Sequence, residues 1–281
     1  MSEAVYLVAA RRTPVAPRGG ALQGLAAHEL AAPVVTALLA DSGLDAAAVD
    51  AVILGNALYG GGNPARLVGL AAGLDPSVAA MSVDTQCCAG MDAILLAARQ
   101  IACGAAGAII AGGLESYSRS PRRLRRALPG EETDREYQRP PFTPWPDRDP
   151  EMLDAAARLA AEIGTSRAAQ EEFAIDSHAR ARRARARLAA ECVPLAGISG
   201  DSFTRTLSAR LCGRLPVLAG DGDHGLTSAT IAVEADAAAA VLVVGESLLS
   251  RLDLGGRRPL RLVHGVSRGS DPENPPLAPI A

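Results

Sequence analysis

The sequence contains no lysine and very few aromatic residues. All 28 basic side chains among the 281 residues are arginines, and Phe, Trp and Tyr together make up 3%. Biased base composition in the genome explains this arginine usage better than selection for phosphate binding does. Because aromatics are so scarce while 48% of the residues are apolar, the sequence favours a tightly packed α/β protein with a core of Ala, Val, Leu and Gly.

Other features that are missing exclude several classes of protein. No stretch of about eighteen uncharged apolar residues is present, so the sequence predicts no membrane-spanning helix. The first residues run into Arg11 and Arg12 without the apolar segment of a secretory signal, so we expect a cytoplasmic location. The formal net charge is −3, from 28 basic and 31 acidic residues, so nothing indicates a nucleic-acid partner.

The five cysteines suit neither a disulfide framework nor a metal site. They are few for the length of the chain, which argues against a disulfide-stabilised domain. Cys87 and Cys88 are adjacent, whereas Cys103, Cys192 and Cys212 are scattered, so the spacing of metal-ligand pairs is absent. We therefore expect free thiols and no metal.

Apolar segments with strand and helix periodicity alternate along most of the chain. Strands are predicted at 4–10, 49–57, 80–86, 106–113, 237–245 and 260–264, and helices at 28–40, 65–73, 88–103, 150–163, 167–190 and 246–253. This alternation predicts a doubly wound or mixed sheet with helices on both faces. Pro33 would mark the first turn of its helix. The helix at 88–103 would turn Met91, Ile94, Leu95, Ala98 and Ile101 inward.

Cys87 follows a predicted strand and directly precedes a predicted helix. A side chain at the first turn of a helix lies near unpaired backbone N–H groups and the positive end of the helix dipole. That placement favours the thiolate, which is the form that attacks carbonyl carbons, and the same N–H groups can hold an oxyanion. Position alone also fits an inert core cysteine, which is the commoner case.

Six segments resemble the thiolase family in the same order and at the same spacing. They are ARRTP (10–14), VDAVILGNALYGGGNPAR (49–66), VDTQCCAGMDAI (83–94), AGGLESYSRSP (111–121), SRAAQEEFAIDSHARA (166–181) and DAAAAVLVV (236–244). The resemblance implies an N-terminal thiolase domain at 1–118 and 226–281, with a mixed sheet of the βαβαβαββ type and helices on both faces. It implies an inserted loop domain at 119–225, and the C-terminal thiolase domain is expected to be absent.

The resemblance also implies an activity, which is acyl transfer between coenzyme A thioesters. It places Cys87 on the acyl-accepting cysteine and makes Cys88 a candidate second thiol. Arg122 and Arg123 would meet the phosphates of coenzyme A, although a solvated basic loop is the alternative. Ser228 lies in a segment that would follow the pantetheine arm. No cofactor is expected beyond the acyl-CoA substrates, and the chain is expected to form homo- or hetero-oligomers with a thiolase chain.

The family's activating histidine, in a Gly-His-Pro segment, has no counterpart here. None of the four histidines has that context; they are His28, His178, His224 and His264. The second family cysteine, which moves protons in the condensation step, is missing too, because Cys192 and Cys212 fall in the predicted loop domain. We therefore expect another chain to supply the general base for Cys87.

Smaller departures from the family pattern surround the predicted site. Cys88 and Ala89 stand where the family usually has Gly and Ser. Asp84 stands where Asn is frequent, and a carboxylate close to Cys87 would oppose formation of the thiolate. Arg158 replaces an Asn, and residues 227–236 replace a segment rich in Gly, Asn and Ser. These departures keep two other hypotheses open, a non-catalytic binding or stabilising subunit and a truncated, inactive homologue.

Overall fold

The computed structural model of the chain describes residues 3–59 and 61–280. The strands are β1 (Val5–Arg12), β2 (Ala16–Pro17), β3 (Ala51–Gly55), β4 (Ala79–Val83), β5 (Ala108–Ser116), β6 (Arg123–Arg125), β7 (Arg135–Tyr137), β8 (Val217–Ala219), β9 (Leu226–Thr227), β10 (Ala235–Gly245) and β11 (Leu260–Arg261). The α-helices are α1 (Ala27–Ser42), α2 (Pro64–Ala71), α3 (Ala89–Ala102), α4 (Met152–Glu162), α5 (Arg167–Arg183), α6 (Arg185–Glu191), α7 (Ala209–Cys212) and α8 (Glu246–Leu249). None of these helices combines the length and the apolar character needed to cross a membrane.

Seven strands form one mixed sheet, which confirms the α/β class expected from the alternating pattern. Its strand order is β11-β1-β10-β5-β3-β4, and β2 pairs with the start of β10. Strand β3 runs parallel to β4 and β5, whereas β10 is antiparallel to β5 and β1. The carboxyl ends of β3, β4 and β5 therefore lie along one edge of the sheet, where ligands bind in open α/β folds.

Helices cover both faces of this sheet, as the sequence predicts. Alternate residues of a strand point to opposite faces, so Val52 joins the cluster around α1 while Ile53 joins the cluster around α3. Leu38 of α1 and Ile101 of α3 are completely buried in these two clusters. Each such side chain stabilises the fold by about 1.5–3 kcal/mol through burial of apolar surface.

Pro33 does not mark the first turn of α1, contrary to the sequence-based prediction. The helix begins at Ala27, and Pro33 lies in its interior. The Glu29 carboxylate accepts a hydrogen bond from Ala26 N (2.7 Å), which fixes the start of the helix by a capping interaction. At the other end Gly43 adopts the left-handed conformation. Because burial and both caps define the helix, it tolerates an internal proline.

The predicted inward face of α3 is wrong at Met91, whose surface is 70% exposed. Ile94 and Leu95 are half-buried, and the fully buried positions are filled mostly by alanine. This helix approaches the sheet so closely that only small residues fit where the two are in contact, among them Gly55 and Gly113 of the sheet. The large side chains are displaced toward the flanks of the helix.

The chain divides into two compact units. Unit 1 comprises Met1–Pro121, Arg185–Phe203 and Glu234–Val266, and unit 2 comprises Arg122–Ala184, Thr204–Val233 and Ser267–Ala281. These bounds differ from the predicted division in two respects. Residues 185–203 group with the sheet, since Val193 N donates to Arg12 O (2.8 Å) and Arg12 binds Asp201. Residues 226–233 and 267–281, predicted to belong with the sheet, group with unit 2. The identity of the units as thiolase domain and loop domain stays a prediction.

Candidate active site

Cys87 lies in the turn that joins β4 to α3. The turn is held by local hydrogen bonds from Gln86 N to the Asp84 carboxylate (2.8 Å), from Cys88 N to Thr85 O (3.4 Å) and from Ala89 N to Gln86 O (3.0 Å). Gln86 has φ +57°, a left-handed conformation that a residue with a Cβ adopts rarely and at some cost. This conformation turns the chain abruptly into the helix and leaves the Cys87 side chain exposed.

Two backbone amides close to Cys87 belong to the start of α3. Across residues 3–59 and 61–280, no acceptor is found for the N–H groups of Gly90 and Met91. They belong to the first turn of a fourteen-residue helix, whose positive end favours negative charge. The arrangement suits an oxyanion that forms at a carbonyl attacked by Cys87.

Glycines bring this helix terminus close to the sheet. A Cβ at Gly55 would lie 2.4 Å from the carbonyl carbon of Ala89 and 2.5 Å from Gly90 N, and a Cβ at Gly113 would lie 3.4 Å from the Cα of Gly90. Gly55 and Gly113 are aligned on the adjacent strands β3 and β5. Sequence reasoning missed these residues, although a glycine within a predicted strand is the signal that indicates a close backbone approach.

Cys87 also lines a cavity of about 440 Å³ on the α3 side of the sheet. Its other walls are Gly90, Met91 and Ile94 of α3, Ala111, Gly112 and Gly113 of β5, Ala239, Ala240 and Val241 of β10, Ala10, Arg11 and Arg12 of β1, and Glu191. Apolar atoms and small side chains dominate this lining. Within the part of the chain that the structure describes, no histidine lines the cavity.

The two arginines that line this cavity are already paired. Arg12 donates two hydrogen bonds to the Asp201 carboxylate, at 2.7 and 3.1 Å, and Arg11 is paired with Asp41. Burial acts to raise the pKa of Asp201. The hydrogen bonds from Arg12 and from Val15 N act in the opposite direction and outweigh burial, so the pKa lies below its ordinary value. The arginines therefore stabilise the cavity wall and leave its interior apolar.

Cys88 occupies the N-cap position of α3 and is exposed. Its side chain makes no capping hydrogen bond, while its carbonyl accepts from Asp92 N (2.9 Å). The Asp92 carboxylate in turn accepts from the Thr85 hydroxyl (2.6 Å). Cys88 therefore adjoins Cys87 as a second free thiol, and its chemical role stays a prediction.

The remaining predicted site residues belong to unit 2, whereas Cys87 belongs to unit 1. Arg122 is paired with Glu136 across the β6–β7 ribbon. Arg123 donates to the carbonyl of Gln138 (3.2 Å). Ser228 is exposed. Arg122 is thus engaged by a carboxylate, and the predicted contacts of all three residues with coenzyme A stay predictions.

Comparison with known proteins identifies relatives of the whole chain. Residues 5–247 match the family model described as "Thiolase, N-terminal domain". "Putative acetyl-CoA C-acetyltransferase YhfS" of Bacillus subtilis (strain 168) is 36% identical over 98% of this chain and 71% of its own length. "Putative acetyl-CoA C-acetyltransferase VraB" of Staphylococcus aureus (strain MRSA252) is 32% identical over 100% of this chain and 75% of its own length.

Solved structures show the same fold. The crystal structure of the Bacillus anthracis acetyl-CoA acetyltransferase superposes with a TM-score of 0.80 at 28% identity, over 92% of this chain and 69% of that chain. Human mitochondrial 3-ketoacyl-CoA thiolase, solved in complex with CoA, gives 0.78 at 23% identity, over 89% and 66% of the two chains. The second likeness concerns the fold alone.

Proposed function

This chain belongs to the thiolase family, and from that premise we propose that it is an acyltransferase subunit which moves acyl groups between coenzyme A thioesters through Cys87. One observation carries the proposal: Cys87 is exposed at the start of α3, beside the free amides of Gly90 and Met91 and at the wall of an apolar cavity. The relatives named as acetyl-CoA C-acetyltransferases support the same reaction class.

The first step joins the acyl carbon to the Cys87 sulfur. The Cys87 thiolate attacks the carbonyl carbon of an acyl-CoA, and the amides of Gly90 and Met91 stabilise the resulting oxyanion. The carbon–sulfur bond to coenzyme A then breaks, and coenzyme A leaves as a thiolate that takes up a proton. In the second step the α-carbanion of another acyl-CoA attacks the Cys87 thioester, which forms a 3-ketoacyl-CoA and frees the cysteine.

Each of the two steps needs a general base in addition to the Cys87 nucleophile. A group must take the proton from the Cys87 thiol and another must remove the α-proton of the second thioester. Since the described residues place no histidine at the cavity, we propose that a partner chain supplies these groups. Met91, which is exposed beside the apolar cavity, belongs to the face that such a partner would cover.

The direct test is the intact mass of the purified protein after incubation with acetyl-CoA and with longer acyl-CoAs. Without the partner chain we expect slow labelling by one acyl group per chain, and loss of this labelling in Cys87→Ala. Cys103→Ala is the matched control, because Cys103 is also exposed and lies at the opposite end of α3. Equal labelling of both variants would show non-specific thiol chemistry and would reject the proposal.

The partner is tested separately. The chain is mixed with a thiolase C-terminal half that carries the Gly-His-Pro segment, and both the rate of Cys87 acylation and the sedimentation of the mixture are measured. We expect a heteromeric complex and faster acylation than with either half alone. A monodisperse monomer that stays unreactive in the presence of this half would contradict the need for a partner.

A non-catalytic subunit is the second candidate function. It is favoured by the absence of histidine from the lining of the cavity within the described residues and by the altered segment at 227–236. On this hypothesis the chain stabilises a complete thiolase, and Cys87→Ala leaves the activity of that complex unchanged. A large loss of activity in the complex containing Cys87→Ala would reject it and would favour the acyltransferase.

A further inference from the structure

A second cavity, of about 220 Å³, lies elsewhere in unit 1 and does not include Cys87. Its walls come from the start of α1, the turn after β3, and the end of β5 with the segment that follows it: Ala26, Ala27, Leu58, Tyr59, Glu115, Ser116, Arg119, Ser120 and Pro121. Two of its elements are the carboxyl ends of adjacent parallel strands, a usual location for ligand sites in α/β proteins. The proposed acyl transfer does not use this cavity.

Glu115 gives the cavity a half-buried carboxylate that is held in place by hydrogen bonds. One carboxylate oxygen accepts from the Asn56 amide (2.9 Å), and the other accepts from the backbone amides of Ala57 (3.0 Å) and Leu58 (3.2 Å). Burial raises the pKa of Glu115, and these donors offset the shift only in part. Because the ionised form is poorly solvated there, a cationic group placed in the cavity would be attracted to it.

Positive charge lies at another part of the same cavity. Arg119 is exposed and, in the part of the chain that the structure describes, forms no ion pair, not even with Glu115. The start of α1 adds the positive end of a sixteen-residue helix. The amide of Ala27 finds no acceptor among the described residues. The cavity thus holds one acidic and one basic side chain that do not bridge each other.

We infer that this cavity binds a free α-amino acid with an apolar side chain. The ammonium group would face Glu115, and the carboxylate would face Arg119 and the first turn of α1, so that each charge meets its opposite. The apolar side chain would pack among Leu58, Tyr59 and Pro121. A volume of 220 Å³ corresponds to about seven water molecules at roughly 30 Å³ each, which suits a ligand of amino-acid size.

The test measures binding of L-leucine to the full chain by calorimetry and by ligand-detected NMR. Two analogues lack one charged group each: 3-methylbutylamine has no carboxylate, and 4-methylpentanoate has no ammonium group. We expect saturable binding of leucine and about tenfold or weaker binding of each analogue. No binding of leucine at millimolar concentration, or an analogue that binds as tightly as leucine, would overturn the inference.

Variants identify the site within the chain. Glu115→Gln should abolish leucine binding, but it also alters the acceptor for two backbone amides and risks misfolding. Arg119→Gln avoids this risk because Arg119 is exposed, and it should weaken leucine binding about tenfold without affecting 3-methylbutylamine. Arg126→Gln, which removes an exposed arginine from unit 2, is the matched control. Unchanged leucine affinity in Arg119→Gln, with a native circular dichroism spectrum, would refute the assignment.

Discussion

At the scale of single residues, Gly55 determines how closely α3 approaches the sheet. In Gly55→Ala the new methyl carbon would lie 2.4 Å from the carbonyl carbon of Ala89, so the start of α3 has to shift. We expect a loss of about 1–3 kcal/mol in the free energy of unfolding, as for other overpacked sites. Because Cys87 and the free amides move with the helix, acylation of Cys87 should fall as well. Urea unfolding and the intact-mass assay measure the two effects.

Gly24→Ala is the control for this substitution. A Cβ at Gly24 meets no atom within 4 Å, so its effect on the free energy of unfolding should stay within about 0.5 kcal/mol. If Gly55→Ala proved as stable and as reactive as Gly24→Ala, the close approach of α3 would not be what positions Cys87.

Asp201 is expected to make the stability of unit 1 sensitive to acid. The pKa of Asp201 lies below its ordinary value of 3.8 in the folded chain, so its stabilising effect is fully present at neutral pH. That effect is lost as the pH falls through the folded-state value. At pH 7, Asp201→Asn should lower the free energy of unfolding by about 1–3 kcal/mol, since it removes hydrogen bonds between charged groups.

Urea unfolding at pH 7 and at pH 3 tests this dependence. The difference between wild type and Asp201→Asn should shrink at pH 3, because this pH lies below the ordinary value of 3.8 and the unfolded chain binds a proton at Asp201 more readily than the folded chain does. Asp147→Asn changes an exposed carboxylate for which the described residues offer no ion pair, and it should have little effect at either pH. A difference that persists unchanged at pH 3 would show that Asp201 stabilises the fold by packing instead of charge.

At the scale of elements, Pro33 is an internal weakness of α1. Proline has no amide hydrogen and its ring crowds the carbonyl one turn earlier, which costs about 3 kcal/mol in a regular helix. We expect Pro33→Ala to raise the free energy of unfolding by about 1–3 kcal/mol and to raise Tm in a thermal melt. Pro64→Ala is the control, because Pro64 occupies the first turn of α2, where proline is favoured. If Pro33→Ala did not raise the free energy of unfolding, the packing of α1 against the sheet would depend on the helix geometry that Pro33 imposes.

The sequence predicted most helices and strands of unit 1, because the spacing of their apolar residues matches the positions that are buried. Leu30, Val34 and Leu38 repeat at helical spacing and are all completely buried. The same reasoning failed at Met91, since periodicity reports which face is apolar but not how near the sheet lies. The left-handed Gln86 carries no sequence signal either, because neighbouring structure and not residue preference imposes that conformation.

The candidate site was predictable only in part. Cys87 followed from its position between a strand and a helix, and from the resemblance of the segment around it. The second cavity, which Glu115 and Arg119 line, was not predictable, since its walls come from three separate segments that only the fold brings together. Pairing of Arg122 with Glu136 was likewise hidden, because it depends on the short β6–β7 ribbon within a segment whose periodicity indicates only a loop.

At the scale of the whole molecule, the two units differ in how much apolar surface they bury. Unit 1 contains two extensive clusters, whereas the clusters of unit 2 consist of three buried residues each with a few half-buried neighbours. Helix α5 of unit 2 has one buried residue, Glu171, whereas α3 of unit 1 has five. Regions that bury few apolar contacts open at lower free energy than the core does.

Hydrogen exchange followed by mass spectrometry should therefore resolve two levels of protection. Amides of α5 are expected to exchange at a lower free energy of opening than amides of α1 and α3, because opening α5 exposes little apolar surface. The basic last turn of α5, which carries Arg180, Arg182 and Arg183, favours the helix locally through its dipole but by less than about 1 kcal/mol. Equal protection of α5 and α3 would mean that the described part of the chain opens as one cooperative unit. It would contradict the expectation that unit 2, with its small apolar clusters, opens at lower free energy than unit 1.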